Sequence, residues 1–185
     1  MRKFILILLL IISNVMVADN TLYSLHTNNT NGALENCYGP DHPFGAIEKR
    51  SVFIHNFIRE HPNTIIVDAG DFLSVTNRPF LDSLIIDAYN SLPYDAVLAG
   101  DQELSRENFK LYAKKLNHPF LAANFLNYFD HGLESHIIIN RGDYKIGIVG
   151  IINPKVFRFY PKEIKERIKL ENPEESISAF INEYS

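Results

Sequence analysis

The chain has 185 residues, 46% hydrophobic and 22% charged, with a formal net charge of −4. That is enough apolar material for one cored domain, and the mildly acidic balance, with its basic residues scattered, excludes a nucleic-acid partner. The lone cysteine, Cys37, excludes an internal disulfide framework, a paired-cysteine zinc site and a Cys-x-x-Cys-His haem attachment.

Residues 1–18 read as a secretory signal. Arg2 and Lys3 form a basic start, Phe4 to Ile12 is an unbroken apolar run, and Ala18 offers a small residue for cleavage. The run is too short to span a bilayer comfortably, since about 20 apolar residues are needed. An uncleaved N-terminal anchor is the competing reading. Residues 19–185 are then one exported domain, periplasmic or secreted.

Within it, strand and helix patterns alternate. Thr21–Leu25 is the first expected strand, followed by a loop rich in Asn, Gly and Pro. Cys37 lies in that loop as a small, partly buried residue, or else as an intermolecular disulfide or reactive thiol. Ala46–Glu60 carries a helical stripe of Ile47, Ile54, Phe57 and Ile58, and Thr64–Val67 returns as a buried strand. Pro79 opens a second helix with the stripe Leu81, Leu84, Ile85, Ala88 and Leu92. Asp95–Leu98 is the next strand. Ser105 is the expected N-cap of a third helix that buries Phe109, Tyr112, Ala113 and Leu116. Pro119–Leu121 follows as a strand.

The pattern then changes. Ser135–Asn140 and Tyr144–Ile152 are β-rich runs joined by Arg141-Gly142-Asp143, a hairpin signal that accounts for this triplet without an adhesion role. Lys162–Leu170 is a short charged helix. Asn172-Pro173-Glu174-Glu175 starts a last helix with the stripe Ile177, Phe180, Ile181 and Tyr184. Strands alternating with helices, then a hairpin, argue an α/β domain with a mixed sheet.

Four short segments each follow an apolar strand run. They are His26-Thr27-Asn28-Asn29-Thr30-Asn31-Gly32, Asp68-Ala69-Gly70-Asp71, Ala99-Gly100-Asp101-Gln102-Glu103 and Ala122-Ala123-Asn124. Residues just past strand ends in α/β folds converge on one crevice. In order and spacing these segments resemble the metallophosphoesterase (calcineurin-like) domain of the 5′-nucleotidase / UDP-sugar hydrolase family. Its segments read His-Thr-Asn-Asp-x-His-Gly, Asp-Ala-Gly-Asp, Gly-Asn-His-Glu and Ser/Ala-Ala-Asn. The resemblance runs from about Leu22 to Ile152. It implies a four-layer sandwich of two mixed β-sheets flanked by helices, with the C-terminal part missing here.

The resemblance also implies roles. Asn29 and Asn31 stand where the family has an Asp and a His that ligate the first metal. Asp71 matches the Asp that bridges two metals. Asp101 stands at the Asn that ligates the second, and Gln102 at the His that assists catalysis. Asn124 matches the last segment and is the candidate substrate contact. The family's later His ligands, in a Gly-His-x-His motif, lie beyond the end of this chain.

Two-metal hydrolysis needs anionic carboxylates to hold two dications about 3.5–4 Å apart. Asn31 offers an amide in place of an imidazole, which suits zinc or manganese poorly. Gln102 cannot exchange protons near neutral pH. Asp71 and Asp101 could together hold one weakly bound magnesium, calcium or manganese ion, so no tightly bound cofactor is expected. None of the seven His residues sits at a ligand position. Asn28-Asn29-Thr30 is formally a glycosylation sequon, discounted because it falls inside the motif.

The expected function is an exported 5′-nucleotidase-like protein without full catalytic competence, taking a small phosphorylated molecule or nucleotide in its crevice, with its protein partner unspecified. Two alternatives stand beside it. One is an active phosphohydrolase on nucleotides or related esters with an altered one-metal site. The other is the truncated product of a longer 5′-nucleotidase gene.

Overall fold

The computed structural model describes residues 21–35 and 46–184. The signal reading, Cys37 and His42 lie outside them. Four parallel strands form one sheet in the order β1-β2-β3-β4: β1 (Tyr23–Thr27), β2 (Thr64–Asp68), β3 (Ala96–Leu98) and β4 (Phe120–Leu121). Helix α1 (Ile47–Glu60) joins the first two strands and α2 (Pro79–Tyr89) the next two. The short α3 (Asp101–Ser105) and α4 (Phe109–Lys115) lead into β4.

Along β2 the side chains of Thr64, Ile66 and Asp68 are buried while Ile65 and Val67 are half-buried, the period-two alternation of a sheet with two unequal faces. Ile54 from α1, Ile85, Ile86 and Tyr89 from α2, and Phe109 and Tyr112 from α4 share one core with Ile66, Val97 and Phe120. A second, antiparallel sheet is the hairpin β5 (His136–Arg141) and β6 (Tyr144–Val149). The fold class is therefore as expected: parallel and antiparallel sheets with flanking helices.

The hairpin is fastened at both ends. Near its start, Glu134 bridges in parallel to Leu121. At its turn, Arg141 Nε donates to the Thr64 carbonyl at 2.9 Å and the guanidinium pairs with Asp95. Arg141 thus serves the fold, as the turn reading of Arg141-Gly142-Asp143 requires. Past β6, a Cβ on Gly150 would lie 2.4 Å from Leu121 Cβ, so only glycine lets the strand end pass this closely over β4. Helices α5 (Lys162–Arg167) and α6 (Pro173–Tyr184) complete the chain.

Four local expectations are corrected. Strand β1 lies two residues further along than Thr21–Leu25, because the ladder continues through polar Thr27, whose hydroxyl bonds the Asp68 carboxylate. Ser105 ends α3 instead of capping a helix; its hydroxyl donates to the Gln102 carbonyl, and α4 begins after Asn108. In α2, Leu84 is exposed and Asp82 is buried, since the Asp82 carboxylate accepts from the Ser74 N–H and hydroxyl and so turns a polar residue inward. In α6, Ile177, Ile181 and Tyr184 are exposed. Phe180 seats against the hairpin, where a Cβ on Gly147 would come within 2.5 Å of its ring, and the exposed Tyr184 reaches β5 through its hydroxyl, 2.9 Å from His136 Nε2.

Candidate active-site crevice

The loops that follow β1, β2 and β3 meet at the carboxyl end of the sheet. The first two run side by side: Asn29 N–H donates to the Gly70 carbonyl, Asn31 N–H to the Asp71 carbonyl and Gly32 N–H to the Phe72 carbonyl, at 2.9–3.0 Å. This zipper needs left-handed backbone. Asn29, Asn31 and Asp71 have φ of 49°, 52° and 58°, and Gly70 has 92°. Short Asn and Asp side chains tolerate that region better than other non-glycine residues. At Gly100, a Cβ would stand 2.4 Å from Asp71 Oδ1 and 2.6 Å from its backbone nitrogen.

Glu103 ties the second and third loops together. Its buried carboxylate accepts four backbone N–H groups: Asp71 and Gly100 on Oε2 at 2.9 and 3.0 Å, Phe72 and Leu73 on Oε1 at 3.0 Å. Burial pushes its pKa up to about 7; the N–H groups of Leu73 and Asp71 oppose that rise, and the charges of Asp71 and Asp68 add to it.

Five of the sequence-predicted residues come together here. Gln102 Nε2 donates to Asn31 Oδ1 at 2.6 Å, and Asn31 Nδ2 donates to the Asn29 carbonyl at 2.9 Å. Asp71 Oδ1 accepts the Gln102 N–H at 3.0 Å. Asp101 Oδ2 accepts the Tyr160 hydroxyl at 2.6 Å. Burial raises the Asp71 pKa to about 6; the Gln102 N–H opposes this, and the neighbouring Asp101 carboxyl, within hydrogen-bonding reach, pushes the same way. Repulsion between the two carboxyls operates, but burial is the larger cause.

Asn124 is the exception. It is fully buried, with its amide occupied by backbone: Nδ2 donates to the Ile152 carbonyl at 2.8 Å and Oδ1 accepts the Ile152 N–H at 2.9 Å. The structure gives it a latch between the end of β4 and the segment after β6, in place of a substrate contact. A buried amide must find partners inside the protein, and Asn124 finds them in the core side of the fold.

Tyr160 carried no sequence signal, and the role of Asp68, the first residue of the second segment, was not foreseen. Tyr160 reaches Asp101 from a segment 59 residues away. Beneath the crevice, Asp68 accepts from Thr27, from Tyr89 at 3.0 Å and from the Gly70 N–H at 2.9 Å, while Arg50 donates to the hydroxyls of Tyr89 and Tyr94 at 3.0 Å. Burial raises the Asp68 pKa.

The donor set does not fit a pair of transition-metal ions. It offers the carboxylates of Asp71 and Asp101 and amides at Asn29, Asn31 and Gln102, with no imidazole among them. Among the described residues no group of three or more His, Cys, Asp or Glu side chains is arranged to hold a metal. A second cation beside the first needs more negative charge than two carboxylates carry.

No family model matches the chain. It is 27% identical over 168 residues to the snake venom 5′-nucleotidase of Naja atra, an alignment covering 77% of this chain and 32% of that protein. The chain thus spans about a third of that relative's length. Its fold matches the 5′-nucleotidase precursor of Thermus thermophilus with a TM-score of 0.72 at 20% identity, over 88% of this chain and 34% of that one. It matches the calcineurin-like phosphoesterase YfkN of Bacillus subtilis with a TM-score of 0.62 at 21% identity, over 88% and 57%.

Proposed function

We propose, from the premise that this chain is a member of the 5′-nucleotidase family built on a metallophosphoesterase fold, that it keeps the family crevice as a binding site and lacks two-metal hydrolysis. The observation that carries this reading is the 2.6 Å hydrogen bond from Gln102 to Asn31. Two positions that the family resemblance assigns to metal chemistry hold each other through neutral amides. Neither amide carries the charge that attracts a dication or the basic nitrogen that moves a proton. Asp71, Asp101, Asn29 and Asn31 are the residues that could still touch one hard cation, weakly. The crevice ligand is a nucleotide or a related small molecule, in keeping with the relatives' names.

The chain is proposed to be exported. The basic start, apolar run and Ala18 support this, as does the venom origin of the Naja atra relative.

The test is metal analysis of the purified protein together with phosphate release from nucleoside monophosphates in magnesium, manganese and zinc. Less than one tightly held transition metal per chain and no release above background are expected. Two stoichiometric ions would overturn the reading. Release abolished by Asp71→Ala would overturn it too, and would establish the alternative of a one-metal phosphohydrolase.

A further inference from the structure

We propose that the segment from Pro154 to Leu170, basic and tipped with an exposed aromatic ring, docks the protein on an anionic phospholipid surface. Nothing in this depends on what the crevice binds.

The segment begins with the 3-10 turn Pro154–Phe159, capped by the Asn153 side chain, which accepts the Lys155 N–H. Three residues per turn set side chains three apart in one column, and the three columns differ in kind. Phe157 is buried and, with Tyr160 bonded to Asp101, roots the turn in the fold. Lys155 and Arg158 form a basic column, both exposed. Val156 and Phe159 form an apolar one, 40% and 84% exposed, and no other large apolar side chain among the described residues stands as clear of the surface as Phe159. The Arg158 guanidinium lies over the Phe159 ring at 4.5 Å, so ring and charge are presented together.

Charge gathers at the same place. Basic residues are scattered over most of the chain, yet six of the 18 fall between Lys155 and Lys169, against two of the 22 acidic ones, Glu163 and Glu166. That gives the stretch +4 where the whole chain is −4. Among the described residues its only ion pair is Lys162 with Glu166 at 3.5 Å, and Arg167 is taken by the Ser105 carbonyl. Arg158 and Lys165 line a recess of about 290 Å³ whose other walls, Pro154, Phe157, Ile168 and Leu170, are apolar. No acidic side chain lines it. Two cations over an apolar floor match a phospholipid headgroup, its phosphate on the cations and its glycerol and first methylenes on the floor.

Size decides between a lipid surface and a protein. A standard protein interface buries about 800 Å² per partner around a core depleted of lysine. Here the exposed apolar part is two side chains, projecting outward and flanked by lysines. A bilayer asks less: an aromatic ring at headgroup depth, joined to a basic cluster that attracts many anionic lipids at once.

The chain has no tryptophan, so F159W places a single fluorescent reporter at the tip, which reads local insertion whether or not residues 1–18 are retained. The exported chain carrying it is mixed with vesicles of phosphatidylcholine alone, or of phosphatidylcholine with phosphatidylglycerol. Each mixture is read at about 0.1 M and about 1 M salt, between which the screening length falls from about 10 to about 3 Å. The emission is expected to move to shorter wavelength, and to be quenched by brominated acyl chains, with the anionic vesicles alone. High salt is expected to weaken that binding at least about tenfold, and so is R158E combined with K165E. Both positions are at the surface, so an unchanged melting temperature is expected; K155E, on the exposed column, replaces the pair if it melts lower. An equal response to neutral vesicles, no response to either, or binding indifferent to salt and to these charge reversals would overturn the proposal. So would an equal shift with polyglutamate or with glycerol phosphate, which would make the occupant an acidic protein or a small free anion. None of these outcomes alters the metal and phosphate-release tests of the crevice.

Discussion

Replacing Asp71 by Asn isolates the electrostatic state of the crevice. Asn retains the Oδ1 that accepts the Gln102 N–H and tolerates the left-handed backbone at φ 58°, so the substitution removes charge with little change of shape. The folded pKa of Asp71 stands at about 6 against an ordinary 3.8, with burial as the main cause and Asp101 adding to it. Because the folded value lies above the unfolded one, its stabilising effect is fully present below pH ~4 and is lost as pH rises through about 6. At about 1.4 kcal/mol per tenfold, such a rise amounts to roughly 3 kcal/mol for a fully enclosed group. Asp71 is only half-buried, and solvent screening reduces this to ~1–2 kcal/mol. At pH 8 in chelator the Asn variant should therefore melt higher, by roughly 3–6 °C for a domain of this size. The two melting curves should converge near pH 4. Melting followed by circular dichroism across that pH range is the assay. A variant that melts lower than the parent at pH 8, and recovers toward acid pH, would refute the reasoning, because it would mean that the Asp71 charge is stabilised by a partner such as a retained cation.

Glu103→Gln should lower stability by about 2–5 kcal/mol, read as a fall in the urea midpoint, because an amide has one acceptor oxygen for four buried N–H groups and leaves some unmatched. The combined substitution Asn29→Asp, Asn31→His, Asp101→Asn and Gln102→His should raise manganese or zinc affinity at least about tenfold, roughly 1.4 kcal/mol, measured by calorimetry; equal weak binding by parent and variant would mean that the crevice geometry no longer suits a metal. N-terminal sequencing of exported protein should begin at or near Asp19, and a retained Met1 would point to an anchor instead.

The alternation of strands and helices was legible because most elements obey simple periodicities. The hairpin is the clearest case: the two β-rich runs pair as expected, with the turn shortened to Gly142-Asp143 because Arg141 joins the strand opposite Tyr144. What escaped the sequence depends on tertiary hydrogen bonding. Hydropathy assigns Asp82 to solvent, yet the Ser74 N–H and hydroxyl hold it inside, while Leu84 on the same helix is exposed. The same limit applies to Asn124. Its place at the end of a strand suggested a ligand contact, and nothing local shows that the Ile152 backbone will occupy its amide.

The crevice itself divides along a physical line. Asn29, Asn31 and Asp71 all sit in left-handed backbone, where Asn and Asp serve the loop equally well. Exchanging a carboxylate or an imidazole for an amide at Asn29 or Asn31 can therefore alter the chemistry without disturbing the turn. Glu103 and Gly100 have no such freedom. Four N–H groups converge on the Glu103 carboxylate, and Asp71 fills the space where a Gly100 Cβ would stand. At Asn29 and Asn31 the departures from the family motif thus fall where the turn accepts more than one residue type, whereas Glu103 and Gly100 keep it where the backbone does not. A metal ligand is free to change once no metal is needed, whereas the residue that joins the β2 and β3 loops is not. On that argument a chain can keep the loop contacts of this crevice while the residues at its metal positions change.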